Sequence, residues 1–146
     1  MFINSYDRHT RLLFIEAFVF LAWARILKSI PFSKVAPNLG KQMCESPLES
    51  NISDIKILKH ISQAVNIMSK YTFWESQCLV KAIAAMKMLE RRNIDNTLYL
   101  GTAKDEKGQL IAHAWLRSGS YLLTGAEEMH RFTMVGCFAK TYRRNV

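Results

Sequence analysis

The sequence predicts an α+β fold in which helices precede an antiparallel sheet. Apolar residues recur every three or four positions up to about residue 92, which is typical of amphipathic helices. After that point, short runs rich in aliphatic, aromatic and Thr residues are separated by turns containing Gly, Asp or Ser. The chain has 146 residues, of which 49% are hydrophobic, and this size suits one compact domain. Helices followed by strands favour the α+β class.

The first predicted helix covers residues 10–30 and ends at Pro31. Its predicted buried stripe consists of Leu12, Ile15, Val19, Ala22, Trp23, Ile26, Leu27 and Ile30. The opposite side carries Phe14, Phe18 and Leu21, so it is apolar as well. Two interpretations stay open: a helix buried on most sides, or a helix with one face that docks a partner or a membrane. Only eight residues separate Glu16 from Arg25, too few to span a bilayer.

The next elements follow from capping, periodicity and turn residues. Prolines and Gly40 make residues 31–52 a connecting segment with room for one short helix. Ser53 or Asp54 is predicted to cap a second helix, and a third is predicted over residues 77–92. The predicted strands, expected to form a meander, are residues 97–102, 110–116, 121–124 and 132–138. The predicted organisation is a helical preface with linker at 1–50 and a core at 51–146, within one compact unit.

Charge and cysteine content narrow the function classes. Twenty Lys and Arg residues against 12 acidic ones give a net charge of +8, which favours an anionic partner such as an acidic peptide. The basic residues are scattered, so we expect no nucleic-acid binding, and peripheral membrane association is a lesser alternative. Three cysteines without a Cys-x-x-Cys pair argue against a zinc site and for a reducing compartment. We expect no metal and no cofactor.

One cysteine and one histidine form a candidate nucleophile and base. Cys78 lies where the third helix begins, and unpaired N–H groups with the helix dipole favour a thiolate there. A histidine within hydrogen-bonding distance would accept and return the proton in acyl chemistry. Strand alternation places His113 on one face with Ile111 and Trp115, so a helix packed on that face would bring Cys78 to it. The alternative is a core cysteine and a structurally bonded histidine.

Four motifs in chain order resemble a known family. They are Cys78-Leu79, Leu89-Glu90-Arg91-Arg92-Asn93-Ile94, Leu98-Tyr99-Leu100-Gly101 and Ala112-His113-Ala114-Trp115. Together with the stretch 12–40, they resemble the transglutaminase-like leader peptidases of lasso-peptide biosynthesis. The resemblance implies a papain-like cysteine-protease core in the bacterial cytoplasm. It further implies that Cys78 is the nucleophile and that His113 is the general base and acid. Trp115 would be a structural or substrate-wall residue beside the histidine, and Trp74 would be a second residue of the substrate wall.

The third catalytic member and the partners are also implied by this resemblance. The family usually has an acidic residue after the histidine, but residues 121–125 contain none. Thr124, Glu127 or a backbone carbonyl are the candidates to orient His113. The expected partners are the leader of the precursor peptide, a separate small leader-recognition protein and the lasso cyclase. Two other functions stay open: an acyl transferase on the same fold, and a non-catalytic basic module that binds peptides.

Overall fold

The computed structural model describes residues 7–48, 52–72 and 78–142, and it has an α+β architecture. The predicted wall residue Trp74 lies outside these residues. The α-helices are α1 (Arg8–Lys28), α2 (Phe32–Val35), α3 (Ile52–Ser69) and α4 (Cys78–Arg91). The strands are β1 (Lys41–Gln42), β2 (Asn96–Lys104), β3 (Leu110–Ser118), β4 (Tyr121–Thr124) and β5 (Thr133–Lys140). Short 3₁₀ helices cover Ala36–Asn38 and Met129–Arg131.

The five strands form one antiparallel sheet in the order β1-β5-β2-β3-β4. The predicted meander is therefore wrong for the last strand, because β5 returns across the sheet and pairs with β2. This order of β2 to β5 is that of a Greek key. A physical reason lies in strand length, since β4 has four residues and offers a short edge, whereas β2 has nine to pair with the eight of β5. The two-residue β1 was not predicted.

The sheet buries a different cluster on each face. On one face, Leu98, Leu116 and Phe138 belong to the main core together with the helices. On the other face, which we call the outer face, Tyr99, Trp115 and Cys137 form a second, smaller cluster. Alternation along β2, β3 and β5 separates the two sets, as expected for a sheet covered on both sides.

Helix α1 packs against α3 and α4 with the face opposite to the predicted one. Its buried residues are Leu13, Phe14, Ala17, Leu21 and Ala24, at intervals of one to four positions. Much of the predicted buried stripe is exposed, with Leu12 at 54%, Val19 at 56% and Ile26 at 64%. The alanines explain the difference, because small residues let α1 approach α4 closely, and a pattern of large side chains overlooks them. Helix α3 begins at Ile52, so Ser53 and Asp54 lie in its first turn and do not precede it.

None of the helices in the described ranges is both long enough and apolar enough to cross a bilayer.

Candidate active site

The imidazole of His113 projects from β3 onto the outer face and is fixed by a main-chain acceptor. Its Nε2 atom lies 2.8 Å from the carbonyl oxygen of Gly125, which follows β4 directly. A carbonyl oxygen only accepts hydrogen bonds, so Nε2 carries the hydrogen. In the neutral ring, Nδ1 is then the nitrogen with a free lone pair, which is the atom that acts as a base.

Aromatic rings hold the plane of this imidazole. The ring of Phe132 stacks on His113 with centroids 4.9 Å apart, and that of Trp115 stacks with centroids 5.9 Å apart. Trp115 also stacks on Tyr99 at 5.6 Å. Because Trp115 is only 7% exposed, its main contribution is to support the imidazole, and little of its surface remains for the predicted substrate wall.

Two glycines make room for this arrangement. A Cβ atom on Gly101, the cross-strand partner of His113, would lie 2.8 Å from Cζ3 of Trp115 and 2.9 Å from Cβ of Phe132. Gly125 has a φ of +77°, and a Cβ there would lie 2.5 Å from the carbonyl oxygen of Ala114. The sequence alone does not indicate that a side chain is excluded at Gly101 or Gly125, because the exclusion depends on contacts between strands.

Cys78 is the first residue of α4, as its predicted role requires. It is half-buried and packs against the main core. The first N–H groups of α4 have no acceptor within the helix, and they point toward the end at which the thiol lies.

Helix geometry shows how Cys78 relates to His113 along the sheet. Four residues connect Arg91 at the end of α4 to Asn96 at the start of β2. Going back along α4, the start of the helix lies about 20 Å from its end. At about 3.3 Å per residue, this distance corresponds to roughly six residues of β2. That point is near Gly101, which pairs with His113. An α4 that runs back antiparallel to β2 would therefore begin at a height along the sheet similar to that of His113.

The packing of Cys78 and of His113, however, is on different faces of the sheet. Helix α4 packs on the sheet face that carries Ala114 and Leu116, whereas His113 stacks with Trp115 on the outer face. The expectation that α4 covers the His113 face is therefore wrong, because the large aromatic residues occupy that face and the small Ala114 admits the helix. No hydrogen bond joins the two side chains among the described residues. The Cys78–His113 pair stays a prediction.

Three candidates were predicted to orient His113 as the third catalytic member: Thr124, Glu127 and a backbone carbonyl. The hydroxyl of Thr124 is buried and has no hydrogen-bond partner in the described part of the chain. Glu127 is exposed in the turn after β4. The Nε2 atom, which an orienting acid would bind, is bonded to Gly125 instead. Of the three possibilities, a backbone carbonyl is the one that contacts the imidazole.

The buried thiol of Cys137 suits a structural role. Cys137 is 4% exposed, and burial raises the pKa of its thiol, with a further increase from the nearby Glu45 and Cys44. A thiol that stays protonated is a poor nucleophile. This agrees with the interpretation of Cys137 as a core residue of its strand.

Comparison with protein families adds one finding to this geometry. A family model described as the transglutaminase-like superfamily matches residues 18–137, which is well over half of the chain. The matched region includes both Cys78 and His113 and most of the helices and strands. No curated protein is significantly similar to the chain, and no solved structure is either.

Proposed function

The chain belongs to the transglutaminase-like superfamily, and on this basis we propose that it is a cysteine peptidase that removes the leader from a lasso-peptide precursor. Enzymes of this superfamily usually depend on a cysteine. The observation that carries the proposal is the bonded imidazole: the Nε2–H of His113 is bound by Gly125, which leaves Nδ1 as a base. Cys78 at the start of α4 supplies the sulfur.

The proposed reaction has two steps. The Cys78 thiolate attacks the scissile carbonyl, and backbone N–H groups at the start of α4 stabilise the oxyanion. Protonated Nδ1 of His113 gives its proton to the leaving amine, and a water molecule activated by the same nitrogen then hydrolyses the acyl-enzyme. Because α4 packs on the sheet face opposite to His113, the proposal requires the thiol and the imidazole to come within hydrogen-bonding distance of each other when substrate binds.

Activity on the precursor peptide encoded beside the gene tests this proposal. Cys78→Ala and His113→Ala should each reduce cleavage at least about 1000-fold while the far-UV circular dichroism spectrum is unchanged. Cys44→Ala and His130→Ala are the matched controls, since both residues lie outside the proposed site and should leave cleavage intact. Normal cleavage by either site variant would rule out the pair.

The separation of the thiol and the imidazole favours a second candidate function, a non-catalytic module that binds peptides. In that case the precursor binds to the protein and stays uncut, and Cys78→Ala leaves its affinity unchanged. The mass of any product also separates hydrolysis from acyl transfer. Hydrolysis adds one water to the new carboxyl end, whereas transfer adds the attacking amine.

We further propose that a separate leader-recognition protein docks on α1, before the cyclase takes over the cut precursor. The surface in question, which we call the α1 stripe, consists of the exposed residues Leu12, Ile15, Val19 and Ile26. A groove of about 480 Å³ runs between this stripe and the end of α4. Arg91 and Arg92 line this groove, Arg8 and Arg11 lie on α1 one turn before Leu12 and Ile15, and the ammonium of Lys87 lies over the ring of Trp23.

These features favour an apolar protein segment flanked by acidic residues. The groove contains one carboxylate, that of Glu16, which is already paired with Arg91 and Arg92. The surface therefore presents a cationic rim that complements an acidic partner. A concave groove fits a protruding segment better than a flat membrane, and the charge of +8 opposes contact with a second copy.

Binding of the small protein encoded beside the gene tests this surface. The double variant Ile15→Ser with Val19→Ser should weaken binding by about tenfold or more, and added salt should weaken it for the unmodified protein. Leu110→Ser is the matched control, because Leu110 is 73% exposed on β3, away from the stripe. If the unmodified protein binds phosphatidylserine vesicles but not the small protein, the surface faces a membrane and this proposal is wrong.

A further inference from the structure

We propose that the main-chain carbonyl of Gly125 replaces the acidic third member and fixes His113 as its Nε2–H tautomer, so that the site requires glycine at position 125. The inference rests on the proposed function for its meaning in catalysis, but the tautomer itself is a property of the folded chain. Gly125 is a positioning residue here, since it acts on the substrate only through the imidazole.

The chemistry of the acceptor supports this assignment. The 2.8 Å contact is a full hydrogen bond, and the stacked rings of Phe132 and Trp115 limit rotation of the imidazole away from it. A carbonyl accepts the Nε2–H of both the neutral and the protonated ring, so the ring keeps its orientation while Nδ1 gains and loses a proton. Unlike a carboxylate, the carbonyl does not titrate and does not place a negative charge beside the ring.

The backbone at this position explains the requirement for glycine. The φ of +77° is unfavourable for residues with a side chain. In addition, a Cβ atom would lie 2.5 Å from the carbonyl oxygen of Ala114, 2.9 Å from Cβ of Trp115 and 3.1 Å from Nε2 of His113. Any relief of these contacts moves the peptide that carries the accepting oxygen.

Gly108 provides a control that shares one of these two restrictions. Its φ is +76°, but a Cβ there would have no atom within 4 Å. Gly108→Ala thus carries the backbone strain without the contacts at the imidazole. A difference between Gly125→Ala and Gly108→Ala isolates the effect of moving the Gly125 carbonyl.

Long-range ¹H–¹⁵N spectra of the histidine rings test the inference without any substrate. The His113 signals are identified as those missing from His113→Ala. The unmodified protein and Gly108→Ala should show His113 as the Nε2–H tautomer, with Nδ1 unprotonated. Gly125→Ala should show a mixture of tautomers. An Nδ1–H ring in the unmodified protein overturns the inference even if Gly125→Ala fails to fold, and so does an unchanged tautomer in a folded Gly125→Ala.

Cleavage of the precursor peptide gives the second readout. Gly125→Ala should lower kcat by about 100-fold relative to Gly108→Ala, with KM little changed, because the base is misoriented while the binding surface stays intact. Equal kcat values for the two variants contradict a positioning role. If the unmodified protein cuts no precursor, the proposed function fails, and the tautomer measurement still decides whether Gly125 fixes the ring.

Discussion

Arg117 is a buried cation on the outer face whose donors are all used by neutral acceptors. Its side chain is 6% exposed. The acceptors are the hydroxyl of Tyr99 at 2.9 Å, the carbonyls of Gly119 at 2.8 Å, Ser46 at 3.0 Å and Pro47 at 3.2 Å, and Thr97 Oγ1 at 3.3 Å. Five N–H groups in one plane match five acceptors, so the guanidinium fastens the segment at 46–47 to the sheet.

Replacing Arg117 by lysine should therefore destabilise the protein by about 2–4 kcal/mol, although the charge is kept. An ammonium has three donors and no planar fork, so at least two buried acceptors lose their partner. The control is Arg131→Lys, where the side chain is 52% exposed and its pairing with Glu128 is 3.8 Å long. That change should stay within about 0.5 kcal/mol. Urea unfolding of both variants gives the comparison, and equal stabilities would contradict the fastening role.

A substitution at Gly101 tests how tightly the aromatic rings pack around His113. Gly101→Ala should cost about 1–3 kcal/mol, because its Cβ would lie under 3 Å from the rigid ring of Trp115 and from Phe132. Gly136→Ala is the matched control, since a Cβ on that strand residue meets nothing within 4 Å. It should be neutral or slightly stabilising. Chemical denaturation followed by tryptophan fluorescence measures both, and an unaffected Gly101→Ala would show that the stack is loose.

At the level of elements, Glu16 ties α1 to the end of α4. Its carboxylate binds Arg92 through two contacts of 2.8 Å and Arg91 at 3.0 Å. Burial alone would raise the pKa of Glu16, but the hydrogen bonds and charges of Arg92 and Arg91 outweigh burial and lower it below 4.5. Burial would raise the pKa of Glu90 too, but the hydrogen bonds and charges of Lys87 and Lys140 outweigh burial and lower it.

These shifts predict loss of stability in acid. A carboxyl whose folded pKa is lowered stabilises the fold fully above its unfolded value of 4.5, and this stabilisation disappears as the pH falls through the folded value. Glu16→Gln should cost about 1–3 kcal/mol at pH 7 and progressively less below pH 4.5. Urea unfolding between pH 7 and pH 3 measures the difference, with the exposed Glu128→Gln as control. If the difference in unfolding free energy between the unmodified protein and Glu16→Gln stays constant with pH, the charge of Glu16 does not contribute to stability.

The predictions made from sequence succeeded where local pattern decides the outcome and failed where long-range contacts do. Helix α4 and strands β2 to β4 were located closely, because their periodicity and turns are local signals. Strand β5 was located within two residues as well, but its place in the sheet was predicted wrongly, since that place depends on which strand edge is long enough to pair with. The same limit applies to His113, whose face was predicted from alternation, whereas the face covered by α4 depends on the sizes of Ala114 and Trp115.

For the whole molecule, the main core joins the helical preface to the sheet. From α1 it includes Leu13, Phe14, Ala17, Leu21 and Ala24, together with residues of α3, α4, β2, β3, β4 and β5. Removing one large buried side chain costs about 2–5 kcal/mol. Three such side chains come from α1, and a domain of this size has a total stability of about 5–15 kcal/mol. The preface therefore supplies stability that the remainder is not expected to replace.

A chain of residues 51–146 should accordingly fail to fold alone, although sequence composition places a division near residue 50. Removal of residues 1–50 exposes the surface of α4 that packs against α1, and it deprives Arg117 of the carbonyls of Ser46 and Pro47. The full chain should unfold in one urea transition that far-UV circular dichroism and tryptophan fluorescence report alike. The shortened chain should show a sloping signal without a transition. Two separate transitions in the full chain, or a cooperative one in the shortened chain, would show that residues 51–146 form an independent domain and that α1 is a separable docking element.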